Sequence, residues 1–196
     1  LARNKKMTGA IVRTVATTCF LDRIAACLGT EIVEVPVGFK WIGPLILEGD
    51  VMLGGEESGG LSIKGHIPEK DGILACALMA ELVAAEKKPL GDIWRDIESA
   101  VGHVWNTRED LTLTPDKKAQ LLGILENISP DSFLGRDVTA FNDVDGFKFT
   151  FSPEEWVLIR PSGTEPIIRC YVESDTEKNG TKLTNDLMKK LNELTE

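Results

Sequence analysis

The sequence predicts a layered α/β domain over residues 1–104, followed by an α+β domain with an antiparallel sheet over residues 105–196. Two observations predict this division. Short β-branched runs alternate with helical stretches in the first half, which is the grammar of a layered α/β unit. The second half instead gathers neighbouring strand-like runs between two helical segments, the pattern of an α+β unit.

In order, Ala10–Val15 is a β-branched run that reads as a buried strand. Thr17 or Thr18 then caps a helix that runs to about Leu28 and stops at Gly29. Glu31–Val37 is a second strand, broken by Gly38. Helical character follows over Phe39–Leu47, with Pro44 best placed near a helix start or a turn. Asp50–Leu53 is a third strand, and it leads into the glycine-dense loop 54–60. Ile73–Ala85 is apolar nearly all round, which predicts a buried helix.

Beyond a helical stretch at 93–100, residues 104–113 look extended. Thr114-Pro115-Asp116 opens a helix to about Glu126. Strand-like runs cover 137–141, 146–151, 156–160 and 167–173. A last helix carries one apolar stripe of Leu183, Leu187, Leu191 and Leu194.

Composition narrows the function. The chain carries 22 Lys and Arg against 31 Asp and Glu, a net charge of -9. That balance opposes nucleic-acid binding, whose footprint is a basic face. Any anionic ligand must be held by a few well-placed cations against the overall field. No apolar run approaches the ~20 residues that span a bilayer, and no signal peptide is present, so a cytoplasmic protein is expected. Cys19, Cys27, Cys76 and Cys170 show no metal-ligand spacing and read as buried or idle thiols in a reducing compartment.

Three loops carry residue types suited to chemistry. In Arg160-Pro161-Ser162-Gly163-Thr164-Glu165-Pro166, Arg160 offers a fork of donors matched to phosphate oxygens. Ser162 and Thr164 add hydroxyls, and Gly163 lets backbone N–H groups turn toward an anion. The prolines stiffen both ends, and Arg169 lies a few residues into the next strand. Residue types alone fit a rigid hairpin turn equally well.

The second loop is Gly54-Gly55-Glu56-Glu57-Ser58-Gly59-Gly60. Glu56 and Ser58 are two apart and share a direction if the loop is extended. A carboxylate beside a hydroxyl suits vicinal sugar hydroxyls, which both donate and accept. An exposed acidic turn is the alternative. In the third, Gly38 precedes Lys40, which either brings a cation to a cleft or is simply solvated among the core residues Phe39, Trp41 and Ile42. His66 and Lys70, in Gly65–Gly72, are possible cleft residues.

The heptapeptide RPSGTEP resembles the phosphate-binding loop of the α-D-phosphohexomutase superfamily, which includes phosphoglucomutases and phosphomannomutases. GEESGG resembles that family's sugar-binding motif, in which the residues matching Glu56 and Ser58 contact hexose hydroxyls. The Gly38/Lys40 element matches one that faces the substrate. The resemblance covers essentially the whole chain: 1–104 as the third domain without its first helix, and 105–196 as the TATA-binding-protein-like fourth domain.

For the full-length enzyme it implies interconversion of hexose 1- and 6-phosphates through a phosphoserine and a hexose 1,6-bisphosphate, with Mg2+. Neither the serine loop nor the aspartate-rich metal loop of the family's first two domains occurs in these residues. No catalytic residue or metal ligand is therefore expected in this chain. Its expected partners are hexose phosphates and the missing N-terminal domains. The start at Leu1 rather than Met fits a fragment; the alternative is a free-standing sugar-phosphate-binding module. Many family members end the sugar loop in histidine, whereas this one ends in Gly60. With Glu56-Glu57, that favours glucose over mannose phosphates.

Overall fold

Helix α1 (Ala2–Lys5) leads into strand β1 (Ala10–Thr14), whose β-branched residues place it at the centre of a sheet. A computed structural model describes all 196 residues, which divide into two compact units, Leu1–His103 and Val104–Glu196. In the first, α2 (Phe20–Leu28), β2 (Ile32–Val35), α3 (Phe39–Glu48), β3 (Val51–Gly55) and β4 (Leu61–Ile63) follow β1. The sheet order is β2-β1-β3-β4, with β1 parallel to both neighbours and β4 antiparallel to β3.

Val12 and Val51 pack with Phe39, Ile42 and Ile46 of α3. A second cluster joins Ile11 and Met52 to Ala25 of α2 and to Leu1, Ala2 and Met7. Gly54 has no side chain because α3 leaves no room: a Cβ there would sit 2.2 Å from Ile42 Cγ2.

Three local expectations change. Helix α2 starts at an N-cap, Cys19, that makes no side-chain cap bond, and Thr18 Oγ1 instead accepts from Phe20 N at 3.0 Å. Thr17 is taken up by Thr14, their hydroxyls 2.9 Å apart. Pro44 lies inside α3 rather than at its start.

The largest difference is α4 (Gly72–Glu86). Asp71 caps it, with Oδ1 accepting from Ile73 N at 2.8 Å and Leu74 N at 3.1 Å. This helix was expected to be buried, yet none of its residues is, and Ile73 is 84% exposed. Apolarity on every side reveals that a helix suits full burial, not that its own unit supplies the cover. Cys27 and Cys76 are likewise exposed, not buried. Helix α5 (Leu90–Val101) closes the unit.

The second unit comprises β5 (Trp105–Thr112), α6 (Pro115–Leu125), β6 (Ser132–Phe133), β7 (Arg136–Asp137), β8 (Ala140–Asn142), β9 (Phe147–Ser152), β10 (Glu155–Pro161), β11 (Ile167–Ser174) and α7 (Glu177–Thr195). The run expected at 137–141 divides between β7 and β8. A five-stranded antiparallel sheet has the order β5-β11-β10-β9-β8, while β6 and β7 form a small ribbon.

Leu183, Leu187 and Leu191 of α7 and Leu121 and Leu125 of α6 cover one sheet face, packing on Phe149, Val157, Ile159, Ile168 and Cys170. The leucine stripe thus does what its helical spacing implies. No helix is long and apolar enough to cross a membrane.

Candidate functional site

Strand β3 delivers Gly54 and Gly55 to the rim of the first unit, where the chain reverses over Glu56–Gly60 into β4. The reversal is a tight turn: Glu56 N donates to Gly60 O at 2.9 Å and Gly59 N to Glu56 O at 3.0 Å. Gly59 has φ +83, a left-handed conformation that glycine adopts without steric cost. The loop is therefore not extended, and alternation along a strand does not describe it.

Glu56 and Ser58 accordingly differ in setting. The Glu56 side chain is 5% exposed, and Lys70 Nζ lies 3.1 Å from its Oε2. Ser58 is exposed. Glu57 turns to β1, where its Oε2 accepts from Thr14 Oγ1 at 3.2 Å. Next to Thr14, buried Arg13 forks between Asp22 (2.6 Å) and Glu34 (2.5 Å). Burial disfavours its charge, but the bond to Asp22 and the fields of Glu34 and Asp22 outweigh that and hold the guanidinium more firmly protonated than usual. These contacts fix the base of the turn.

The structure brings Lys70 to Glu56 but gives the other candidates different company. Gly38, at φ +124, is the N-cap of α3. Lys40 is exposed in the first turn, its Nζ 5.1 Å from the Trp41 ring centroid. His66 Nε2 lies 2.9 Å from Asp71 Oδ2, so this histidine braces the cap of α4.

In the second unit, Arg160–Pro166 joins β10 to β11. Arg160 and Arg169 stand directly opposite each other in the antiparallel register, and Asp110 of β5 is opposite Arg169 on its other side. Like charges in that position repel, and carboxylates offset them. Arg160 Nε donates to Asp145 Oδ2 at 2.9 Å, and Arg169 pairs with Glu165 at 3.0 Å. The Asp110 carboxyl is held below the usual range, first by its bond to Arg108, with the field of Arg169 adding to it. Arg169 Nε is buried without a hydrogen-bond partner.

The loop between them is braced from within and from behind. Ser162 is buried, and its Oγ accepts from Glu165 N at 3.2 Å. Gly163 and Thr164 are exposed at the tip. Lys118 of α6 donates to Ser162 O at 2.6 Å and Glu165 O at 2.9 Å. Sequence reasoning did not find Lys118 or Asp145, which lie far along the chain from the loop and in no motif.

A family model described as phosphoglucomutase/phosphomannomutase, alpha/beta/alpha domain III, matches residues 1–101. A second, the C-terminal domain of the same proteins, matches 112–190. The chain belongs to the phosphoglucomutase/phosphomannomutase family.

Among relatives, a phosphoglucomutase of Komagataeibacter xylinus is 33% identical over 189 residues, covering 87% of this chain and 33% of that protein. A phosphoglucosamine mutase of Methanocaldococcus jannaschii is 32% identical over 180 residues, covering 92% of this chain and 37% of its own length. The open form of parafusin, a phosphoglucomutase-type phosphoprotein of Paramecium, superposes with a TM-score of 0.72 at 25% identity, over 95% of this chain and 37% of that one. The chain thus spans between a third and two fifths of the relatives it matches. The two family models meet its two loops: domain III contains Glu56–Gly60, and the C-terminal domain contains Arg160–Pro166.

Proposed function

We propose that this chain supplies the sugar-gripping and phosphate-gripping parts of a mutase that interconverts hexose 1- and 6-phosphates, with glucose phosphates preferred. The observation that carries this reading is the buried, unpartnered Nε of Arg169, directly across the hairpin from Arg160. An unsatisfied buried donor costs about 1–3 kcal/mol, more when charged. A phosphate oxygen would relieve that cost with a charge-assisted bond.

In this reading Arg160, Arg169, the Thr164 hydroxyl and the Gly163 N–H take the phosphate that is not being transferred. Glu56 accepts from hexose hydroxyls while Lys70, 3.1 Å away, keeps its carboxylate aimed, and Ser58 and Lys40 add polar contacts. Such binding orients the reacting end, and phosphoryl transfer depends chiefly on positioning and charge stabilisation.

Phosphoserine and magnesium chemistry is assigned to other parts of the full-length enzyme, as is turnover through a hexose 1,6-bisphosphate. The residues present do not fit a metal site, since no three His, Cys, Asp or Glu side chains converge. In this reading the 196-residue chain alone has no mutase activity.

The test is titration of glucose 1-phosphate, glucose 6-phosphate and mannose 6-phosphate against the chain and its Arg160→Ala variant, followed by NMR. Phosphate-dependent shifts at Gly163, Thr164 and Arg169 that vanish in the variant are expected. Losing a desolvated Arg–phosphate pair costs roughly 2–5 kcal/mol. Equal binding by both proteins would overturn the assignment of the phosphate grip.

A further inference from the structure

We infer that Lys118 is a positioning residue of the phosphate grip, holding the Arg160–Pro166 loop so that two of its backbone N–H groups face outward as an anion nest. This deepens the proposed function and rests on its assignment of that loop to phosphate.

The loop's own hydrogen bonds leave a specific remainder. Ser162 N donates to Ile167 O at 3.1 Å, and Glu165 N donates to Ser162 Oγ at 3.2 Å. Pro161 and Pro166 have no N–H to give. The N–H groups of Gly163 and Thr164 are the two that the loop does not use itself, and both residues are exposed at its tip. Successive backbone N–H groups in a turn make a concavity that binds anions.

Lys118 decides where the first of them points. Its Nζ donates to Ser162 O at 2.6 Å. That carbonyl and the Gly163 N–H belong to one planar peptide unit, and no peptide bond in the chain is cis. The two groups therefore point in opposite directions. Drawing the oxygen back toward α6 turns the N–H forward, away from the helix. The ammonium also polarises the amide, which makes its N–H a stronger donor. The second bond, to Glu165 O at 2.9 Å, secures the far side of the loop. The nitrogen of that peptide is Pro166, so this tie turns no further donor away from a ligand.

The lysine acts from a firm base. Lys118, Leu121 and Leu125 share one face of α6 by their spacing, and both leucines are buried in the core of the unit. Thr114 caps the helix, and Leu113 N donates to Pro166 O at 3.0 Å, which ties the helix entry to the end of the loop. Two of the three ammonium protons are taken by loop carbonyls. Lys118 thus works through the peptide and is not itself a phosphate ligand.

The test follows loop and ligand separately in the 196-residue chain, comparing wild type with Lys118→Met and Lys117→Met. The second variant loses the same charge one residue away, from an exposed side chain. Without ligand, heteronuclear NOE values at Gly163 and Thr164 should fall in Lys118→Met alone, while its urea midpoint stays nearly unchanged. Lys118→Met should bind glucose 6-phosphate and inorganic phosphate about tenfold more weakly, the worth of one well-aimed hydrogen bond. Lys117→Met should stay close to wild type.

Equal losses in the two variants would overturn the proposal, because the field of one more cation would then explain them. So would undiminished binding by Lys118→Met, or a loop as well ordered in that variant as in the wild type. Arg160→Ala tells which reading has failed. If it abolishes phosphate binding and Lys118→Met does not weaken it, the loop grips phosphate and only the aiming by Lys118 is wrong. A wild-type chain without phosphate-dependent shifts at Gly163 and Thr164 would overturn both.

Discussion

The aliphatic stem of Lys70 lies over Gly60, so that a Cβ added to the glycine would stand 2.6 Å from Lys70 Cδ and 3.1 Å from its Cγ. This route carries the lysine ammonium to Glu56. A side chain at position 60 would close it. The glycine that distinguishes this loop from histidine-ended versions and the ion pair at its base are therefore one feature.

Gly60→Ala should move Lys70 off Glu56 and weaken hexose-phosphate binding as much as Lys70→Ala does. The two changes should be strongly non-additive, since both remove one contact. A double-mutant cycle read by ligand titration checks this; simple additivity would mean that the stem and the glycine are not coupled.

Gly180 lies within α7, where alanine ordinarily stabilises a helix by up to about 1 kcal/mol. Here its Cβ would fall 2.0 Å from Trp105 Cε3 and 2.3 Å from Cζ3. Overpacking should win, with Gly180→Ala destabilising by about 1–3 kcal/mol. Urea denaturation measures the difference, and Trp105→Leu should restore most of it.

Thiol reactivity should divide by burial. Cys170 is pushed up to about 12, first by burial and then by the fields of Asp110 and Glu109. At pH 8 it should stay unmodified in the folded chain while Cys27 and Cys76 react, and become reactive on unfolding. Mass spectrometry after alkylation, with and without urea, reads this directly.

Acid should loosen α4. The Asp71 carboxyl is held below the usual range by the Leu74 N–H first, then by His66. A depressed folded value means its stabilisation is present above the ordinary carboxylate pKa, about 3.9, and is lost as pH falls through the folded one. Between pH 5 and pH 2.5 the wild type should therefore lose more helical signal than Asp71→Asn, whose cap does not titrate. Circular dichroism against pH checks the comparison.

Much of this was legible in the sequence because local signals and tertiary structure agree. The α7 leucines repeat at helical spacing and cover the sheet, and Thr176 caps the helix by accepting from Asn179 N at 3.3 Å. The two glycine-containing loops stand at strand ends, where turn chemistry is visible in the residues. The exposure of α4 was not legible, because a pattern records what a helix can tolerate and not what lies beside it.

The brace from Lys118 was also hidden. It reaches loop carbonyls 44 and 47 residues away from an otherwise unremarkable helical surface. Nor did the spacing of Arg160 and Arg169 disclose that they face each other, since the hairpin register depends on how the intervening turn is tied.

If that facing pair takes the phosphate as proposed, its existing partners have a consequence for how the anion arrives. Each guanidinium already holds a carboxylate, Asp145 for Arg160 and Glu165 for Arg169. On the proposed reading, a phosphate entering there would exchange counter-ions as well as meet the unpartnered Arg169 Nε. The carboxylates would then set a threshold: a doubly charged phosphate can outcompete them, while chloride or a sugar acid with one negative charge gains little. Selectivity for the phosphorylated sugar would come from what must be displaced as much as from what is waiting to bind.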